Sequence, residues 1–271
     1  MNKFKNIILI ISILSIITSC NKYDRLIKSA DIDKKYEAAM KYYEKGNYVK
    51  AINLFEELVS VYRGTAKAES ILFYYAYTNY NLGDYILAAY HFKNFVRTYP
   101  NSVHAEECAY MAANCYYLTS PTYSLDQTDT KSAIKEFQLF VNQYPQSLRL
   151  ASANEIVDKL RAKLEKKSYE IAKNYYHTEF YQAAVCSFKN MLVDFPETKH
   201  REELSFLIIK SNYLYAINSI ESKKEERLKA SIDAYLSFVD VFSNSGYLKE
   251  AESIYESALK MKERLKLKTT S

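Results

Sequence analysis

The sequence has no tryptophan and, across 271 residues, only four glycines and four prolines. With glycine this scarce there is no glycine-rich phosphate loop and no Gly-x-Ser-x-Gly elbow, so nucleotide-binding and serine-hydrolase readings find no support. So few breakers also argue for helix throughout. The four histidines, His91, His104, His177 and His200, form no His-x-x-x-His pair and join no cysteine cluster of zinc spacing, so no metal, cofactor or catalytic residue is expected. His104 lies near Glu106 and Glu107, which read as the solvated start of a helix. Cys108 and Cys115 stand seven apart, about 10.5 Å along one helix and beyond disulfide reach. With Cys186 they read as small buried packing residues, a bridge or redox role being the alternative. Lys and Arg number 37 against 32 Asp and Glu, a balance too mild to imply nucleic acid. After the first twenty residues no apolar run is long enough for a membrane span.

What is present is a repeat. In Gly83-Asp84-Tyr85-Ile86-Leu87-Ala88-Ala89-Tyr90-His91-Phe92-Lys93-Asn94-Phe95-Val96-Arg97-Thr98-Tyr99-Pro100, scarce residues bracket one helical segment. Glycine suits the left-handed position after one helix, aspartate the cap of the next, and proline cannot continue beyond. The pattern recurs as Ala51/Phe55/Leu58/Tyr62, Ala88/Phe92/Phe95/Tyr99, Ala133/Phe137/Phe140/Tyr144 and Ala184/Phe188/Met191/Phe195, with a degraded copy at Ser231/Tyr235/Phe238/Phe242. The small residue lets paired helices approach, and the large ones fill the layer between neighbours. This is the tetratricopeptide pattern, so the expected fold is all-α, a solenoid of about five helical hairpins with a C-terminal helix. The small-residue anchors lie 37, 45, 51 and 47 residues apart, more than the roughly 34 of an ideal unit. Insertions are expected at 121–129 and 222–226.

The first twenty residues carry another message. Lys3 and Lys5 precede an apolar run, Ile7 to Ile17, that ends in Thr18-Ser19-Cys20. It is too short to span a bilayer and has the charged front and small-residue end of a secretory signal. The cysteine after Ile-Thr-Ser resembles a bacterial lipobox, in which the thiol is acylated and the peptide cut before it; an ordinary signal peptide is the alternative. The division that follows is 1–19 leader, 20–30 acylated linker, 31–149 repeats one to three, and 150–267 repeats four and five with the closing helix. The basic runs Lys159 to Lys167 and Lys260 to Lys268 read as solvated helix faces, with anionic lipid or an acidic partner as the alternative.

Registering the first three repeats on their turns places Ala39, Ala76 and Ala113 at the small position of each first helix. On the adjoining face fall Tyr36/Met40/Tyr43, Phe73/Tyr77/Tyr80 and Tyr110/Asn114/Tyr117, each triplet at i, i+4 and i+7 and so one stripe. They line a concave groove for extended peptide or belong to the core between repeats. Tyrosine suits peptide binding, since a rigid ring with a polar tip is ordered at low entropic cost.

A lipobox followed by such repeats, with Tyr62-Arg63-Gly64-Thr65-Ala66-Lys67-Ala68-Glu69, Tyr74-Tyr75-Ala76-Tyr77, Gly83-Asp84-Tyr85, Asp126-Gln127-Thr128-Asp129, Tyr144-Pro145-Gln146-Ser147 and Leu164-Glu165-Lys166-Lys167-Ser168-Tyr169-Glu170, resembles the BamD family of outer-membrane assembly lipoproteins. The resemblance fades after Arg201. It implies a non-enzymatic protein held by Cys20 acyl chains on the periplasmic face of the outer membrane. It also implies two partners: unfolded outer-membrane proteins received by the aromatic groove, and a BamA-like β-barrel protein whose POTRA domains dock on repeats four and five. A lipoprotein scaffold of another envelope complex stays open, as does a carbohydrate-capture lipoprotein, although such families favour tryptophan for sugar stacking.

Overall fold

A computed structural model describes residues 22–270. The leader, Cys20 and the lipid-attachment expectation lie outside the described residues. Among these the chain is helical, with no strand. A short helix over 22–27 (α1) leads into α2 (Ile32–Glu44), α3 (Tyr48–Val61), α4 (Ala68–Leu82), α5 (Tyr85–Thr98), α6 (Ala105–Thr119) and α7 (Thr128–Gln143). Then follow α8 (Leu150–His177), α9 (Tyr181–Asp194), α10 (Arg201–Ile217), α11 (Glu221–Val241) and α12 (Leu248–Thr270). Five hairpins, α2/α3 to α10/α11, and a closing helix match the expected repeats. No helix of the described residues is long and apolar enough to cross a membrane.

The chain forms two compact units. Unit one runs to Pro121 and resumes over Asp126–Leu160; unit two holds Thr122–Leu125 and everything from Arg161. In both, the repeat anchors make the core. Ala51, Ala88, Ala133 and Ala184 are completely buried, as are Phe55, Phe92, Phe137 and Phe188. Each such phenylalanine contributes about 1.5–3 kcal/mol by leaving water. In the fifth repeat the small position is Ser231, also buried; its hydroxyl donates to the Ile209 carbonyl at 3.0 Å, which removes the penalty of an unpaired polar group.

The turns inside the first two hairpins explain two of the four glycines. Gly46 and Gly83 take φ of +70° and +85°, the left-handed region that glycine enters without steric cost. The following N–H reaches back to close the helix end: Asn47 to Tyr42 O, Asp84 to Asn79 O. The fourth repeat makes the same closure, Phe180 N–H to Tyr175 O, with Glu179 at φ +64° in the glycine position. Asp84 occupies the N-cap of α5 as expected, but its side chain makes no capping hydrogen bond; Asn47 does, accepting from Lys50 N–H at 3.3 Å.

The expected insertions resolve differently. Residues 120–127 form the irregular link before α7, whereas 222–226 lie inside α11. Glu, Lys and Arg are good helix formers, so that insertion lengthens a helix instead of a loop. Cys108 and Cys115 are buried, but Cys186 is exposed. It sits two residues from both Ala184 and Phe188, which turns it about 200° from their buried stripe.

Candidate functional site

The three expected stripes lie on α2, α4 and α6 of unit one. Ala39, Ala76 and Ala113 are buried, and all nine neighbours, Tyr36, Met40, Tyr43, Phe73, Tyr77, Tyr80, Tyr110, Asn114 and Tyr117, are half-buried. They sit at the fringe of the core with part of each side chain in water. The aromatic members pack against buried clusters built on Leu54/Phe55, Phe92/Phe95 and Phe137/Phe140.

Side chains lace one stripe to the next. The Tyr43 ring meets Tyr74 edge-on at 4.9 Å. Tyr77 donates its hydroxyl proton to Glu107 Oε1 at 2.5 Å, and Asn114 Nδ2 donates to the Tyr80 hydroxyl at 3.2 Å. The Tyr110 and Ser152 hydroxyls pair at 3.1 Å. Tyr43 and Tyr80 are further braced by the turn tyrosines Tyr48 and Tyr85, at 5.6 and 5.5 Å between rings. Burial pushes the Tyr43 hydroxyl up to about 12 and the Tyr77 hydroxyl far above its ordinary value, the latter also through Glu107. Both hydroxyls therefore stay neutral, and that of Tyr77 is a hydrogen-bond donor.

A second device recurs in all five loops between repeats. An aromatic residue is followed three positions later by Ser or Thr: Tyr62/Thr65, Tyr99/Ser102, Tyr144/Ser147, Phe195/Thr198, Phe242/Ser245. In four of them that hydroxyl donates to a glutamate in the preceding repeat, Ser102 to Glu69, Ser147 to Glu106, Thr198 to Glu165 and Ser245 to Glu202, at 2.5–2.6 Å. It also accepts from the backbone N–H two residues on. Glu106 and Glu107 are thus hydrogen-bond acceptors between repeats, not a merely solvated helix start. Side-chain partners 30 and 41 residues away desolvate them in part.

The residue two after each Ser or Thr roofs the first aromatic of the preceding stripe. The Lys67 ammonium lies 5.0 Å over Tyr36, the His104 ring 4.4 Å from Phe73, and the Arg149 guanidinium 5.6 Å over Tyr110. His200 stacks on Tyr169 at 4.2 Å and Tyr247 on Phe206 at 4.7 Å. The roofs identify stripes in repeats four and five that the sequence reading left unassigned: Tyr169/Lys173/Tyr176 and Phe206/Lys210/Tyr213. Here the middle position is lysine, bound to Glu203 at 2.9 Å and Glu250 at 2.7 Å. A cavity of about 630 Å³ opens beside Tyr169 and His200, lined also by Lys166, Glu170, Glu197 and Lys199.

A family described as YfiO, outer membrane lipoprotein, matches residues 29–228. The chain belongs to the YfiO family. It is 25% identical over 270 residues to the putative outer membrane protein assembly factor BamD of Aquifex aeolicus, covering 93% of this chain and 87% of that protein. To the outer membrane protein assembly factor BamD of Haemophilus influenzae it is 21% identical over 243 residues, 86% of this chain and 92% of that one. The family expected from the repeats and turns is therefore the one its relatives carry. Among solved structures, the TPR2AB domain of yeast Sti1 in its pHSP90 complex is 16% identical over 84% of this chain and 98% of that one, with a TM-score of 0.38. The YfiO match takes in all nine stripe residues and the stripe lysines Lys173 and Lys210, and ends within α11.

Proposed function

We propose that this YfiO-family chain is a non-enzymatic lipoprotein subunit of the outer-membrane β-barrel assembly machinery, tethered by acyl chains on Cys20 to the periplasmic face of the outer membrane. The observation that carries this reading is the match of nearly the whole chain to relatives named outer membrane protein assembly factors. In this reading the stripes of residues 31–149 receive an extended segment of an unfolded barrel protein. Tyr36, Met40, Tyr43, Phe73, Tyr77, Tyr80, Tyr110 and Tyr117 offer half-exposed apolar surface on braced side chains, and Asn114 offers an amide. Bracing removes much of the entropic cost of ordering side chains on binding. Repeats four and five and α12, over 150–267, dock the POTRA domains of a BamA-like protein.

Two measurements test it. Purification from detergent-solubilised envelope recovers a large barrel protein with POTRA domains; recovery of cell-wall proteins alone rejects the assembly role. Tyr77→Ala with Tyr80→Ala weakens crosslinking to a barrel-derived C-terminal peptide, with Tyr77→Phe as the control that keeps the ring and loses the bond to Glu107. Unchanged crosslinking, with helicity intact by circular dichroism, rejects the groove.

A further inference from the structure

The chain enters the fold at one particular edge of unit one. Tyr23, in α1, is held at the far end of α2: its ring meets Tyr42 at 5.6 Å, its hydroxyl donates to the Lys50 carbonyl at 3.0 Å, and Asn53 Nδ2 donates to it at 3.3 Å. From there Leu26 and Ile27 continue along the core cluster of the first repeat toward the start of α2 at Ile32. Tracing the chain backwards, it leaves at the edge formed by the turns within the hairpins. Cys20 is three residues before Tyr23, a reach of at most about 10 Å in any conformation.

That same edge presents apolar surface that is exposed among the described residues. Val49 is 67% exposed, Ile86 78%, Leu87 51% and Tyr90 61%. Ile86, Leu87 and Tyr90 stand at i, i+1 and i+4 on the opening turns of α5, which makes one patch. Val49 and Leu82 border a shared hollow with Lys45 and Gly46, so the first two turns lie side by side. Lys45 borders the same hollow as Val49, and the Lys50 ammonium lies over the Tyr23 and Tyr42 rings at 5.3 and 5.6 Å, where the chain enters. Aliphatic side chains with a tyrosine and a cationic rim are what a lipid–water interface takes up.

We infer that the hairpin-turn edge of the first two repeats, Val49 with Ile86, Leu87 and Tyr90, is seated on the lipid surface that anchors the protein. The proposal rests on the acylation of Cys20 in the reading above. A tether this short holds the edge against the bilayer at high effective concentration, so a few apolar side chains suffice to fix the orientation of unit one. The acyl chains hold the protein, and the patch decides which way unit one faces.

The absence of tryptophan provides the test. Ile86→Trp and, separately, Val49→Trp place a single indole on this edge; Leu148→Trp places one at a fully exposed site in a loop between repeats. The full-length acylated variants are reconstituted into vesicles of phosphatidylethanolamine and phosphatidylglycerol with brominated acyl chains. Emission from the Ile86 and Val49 indoles is expected to be quenched about twofold and blue-shifted, as for side chains at the headgroup–acyl boundary, with Leu148→Trp unaffected. Quenching at the edge no greater than at Leu148, in protein whose intact mass shows the lipid, overturns the seating and leaves the anchor. A mass without lipid on Cys20 overturns both.

Discussion

The two units use one repeat frame and furnish its inner face differently. At the middle position of the stripe, unit one has Met40, Tyr77 and Asn114, and unit two has Lys173 and Lys210. Asn114 donates back to the Tyr80 hydroxyl and Met40 has no proton to give, but for Tyr77 and the two lysines the acceptor is alike, a glutamate in the first turns of the next repeat's first helix or of the closing helix. Glu107 receives the neutral Tyr77 hydroxyl, Glu203 the Lys173 ammonium and the Tyr169 hydroxyl, and Glu250 the Lys210 ammonium. A neutral donor leaves the stripe of unit one a polarisable apolar surface. An ammonium makes that of unit two an ionic ladder whose strength follows salt and pH. The difference teaches that the repeat specifies the fold through its small and large core positions, while the half-buried positions beside them are free to diverge in chemistry.

If the frame is common, its core positions are equivalent, and that is the largest effect to measure. Phe92→Ala and Phe188→Ala remove fully buried rings at the same repeat position in the two units. Each is expected to cost about 3–5 kcal/mol. Urea denaturation checks this; a loss below about 1 kcal/mol in either variant would mean that its site is not a core position of the common frame.

How much of this was readable beforehand follows the same division. Ala88, Phe92 and Phe95 could be placed because core spacing is local and repeats, and Gly83 because its left-handed turn is a one-residue requirement. Glu179 could not, since nothing local marks a glutamate for a positive φ; only its alignment with Gly46 and Gly83 does. The role of Glu106 is not legible locally, because its partner Ser147 lies 41 residues on, across a whole hairpin. The signal existed: the aromatic-x-x-Ser/Thr loops align in five copies, and registering them would have supplied the roofs over Tyr36, Phe73 and Tyr110. The exposure of Cys186 has a simpler cause: its angle to Ala184 and Phe188, not its residue type, decides which way it faces.

The ionic character of unit two gives the next effect. Burial works against ionisation of Glu203, but the donors Lys173, Tyr169 and His200 outweigh it and hold the carboxyl below its ordinary 4.5. A carboxyl depressed in the folded state contributes stability that is fully present above its unfolded value and is lost as pH falls through the folded one. Glu203→Gln is therefore expected to cost about 1–3 kcal/mol near pH 7, less at high salt, and to flatten the loss of stability on acidification below about pH 4.5. Glu107→Gln is the counterpart in unit one. Its amide oxygen can still accept from the Tyr77 hydroxyl, and its basic neighbour is His104, 3.8 Å away, so its cost is smaller and less dependent on salt. Equal salt dependence of the two variants would erase the distinction between the faces.

The smallest effect asks whether the loops differ between the units as the stripes do. Ser147 and Thr198 each donate to a glutamate of the preceding repeat at 2.6 Å and accept a backbone N–H two residues on. Ser147→Ala and Thr198→Ala remove both bonds and leave a partly exposed carboxylate that water can reach, so the lost bonds are expected to cost about 1 kcal/mol in each. The hydrogen-bond geometry is shared, but Thr198 is buried and also loses its γ-methyl, so its loss should exceed that of Ser147 by about 0.8 kcal/mol and no more. The roofing residues give a second readout: Arg149 and His200 are positioned over Tyr110 and Tyr169 through the same hydroxyl. Each substitution should therefore raise amide exchange at its own loop and leave the other unchanged. If Thr198→Ala instead cost several times as much as Ser147→Ala, the loop of unit two would carry load that its counterpart does not, and the divergence seen at Lys173 would extend into the frame itself.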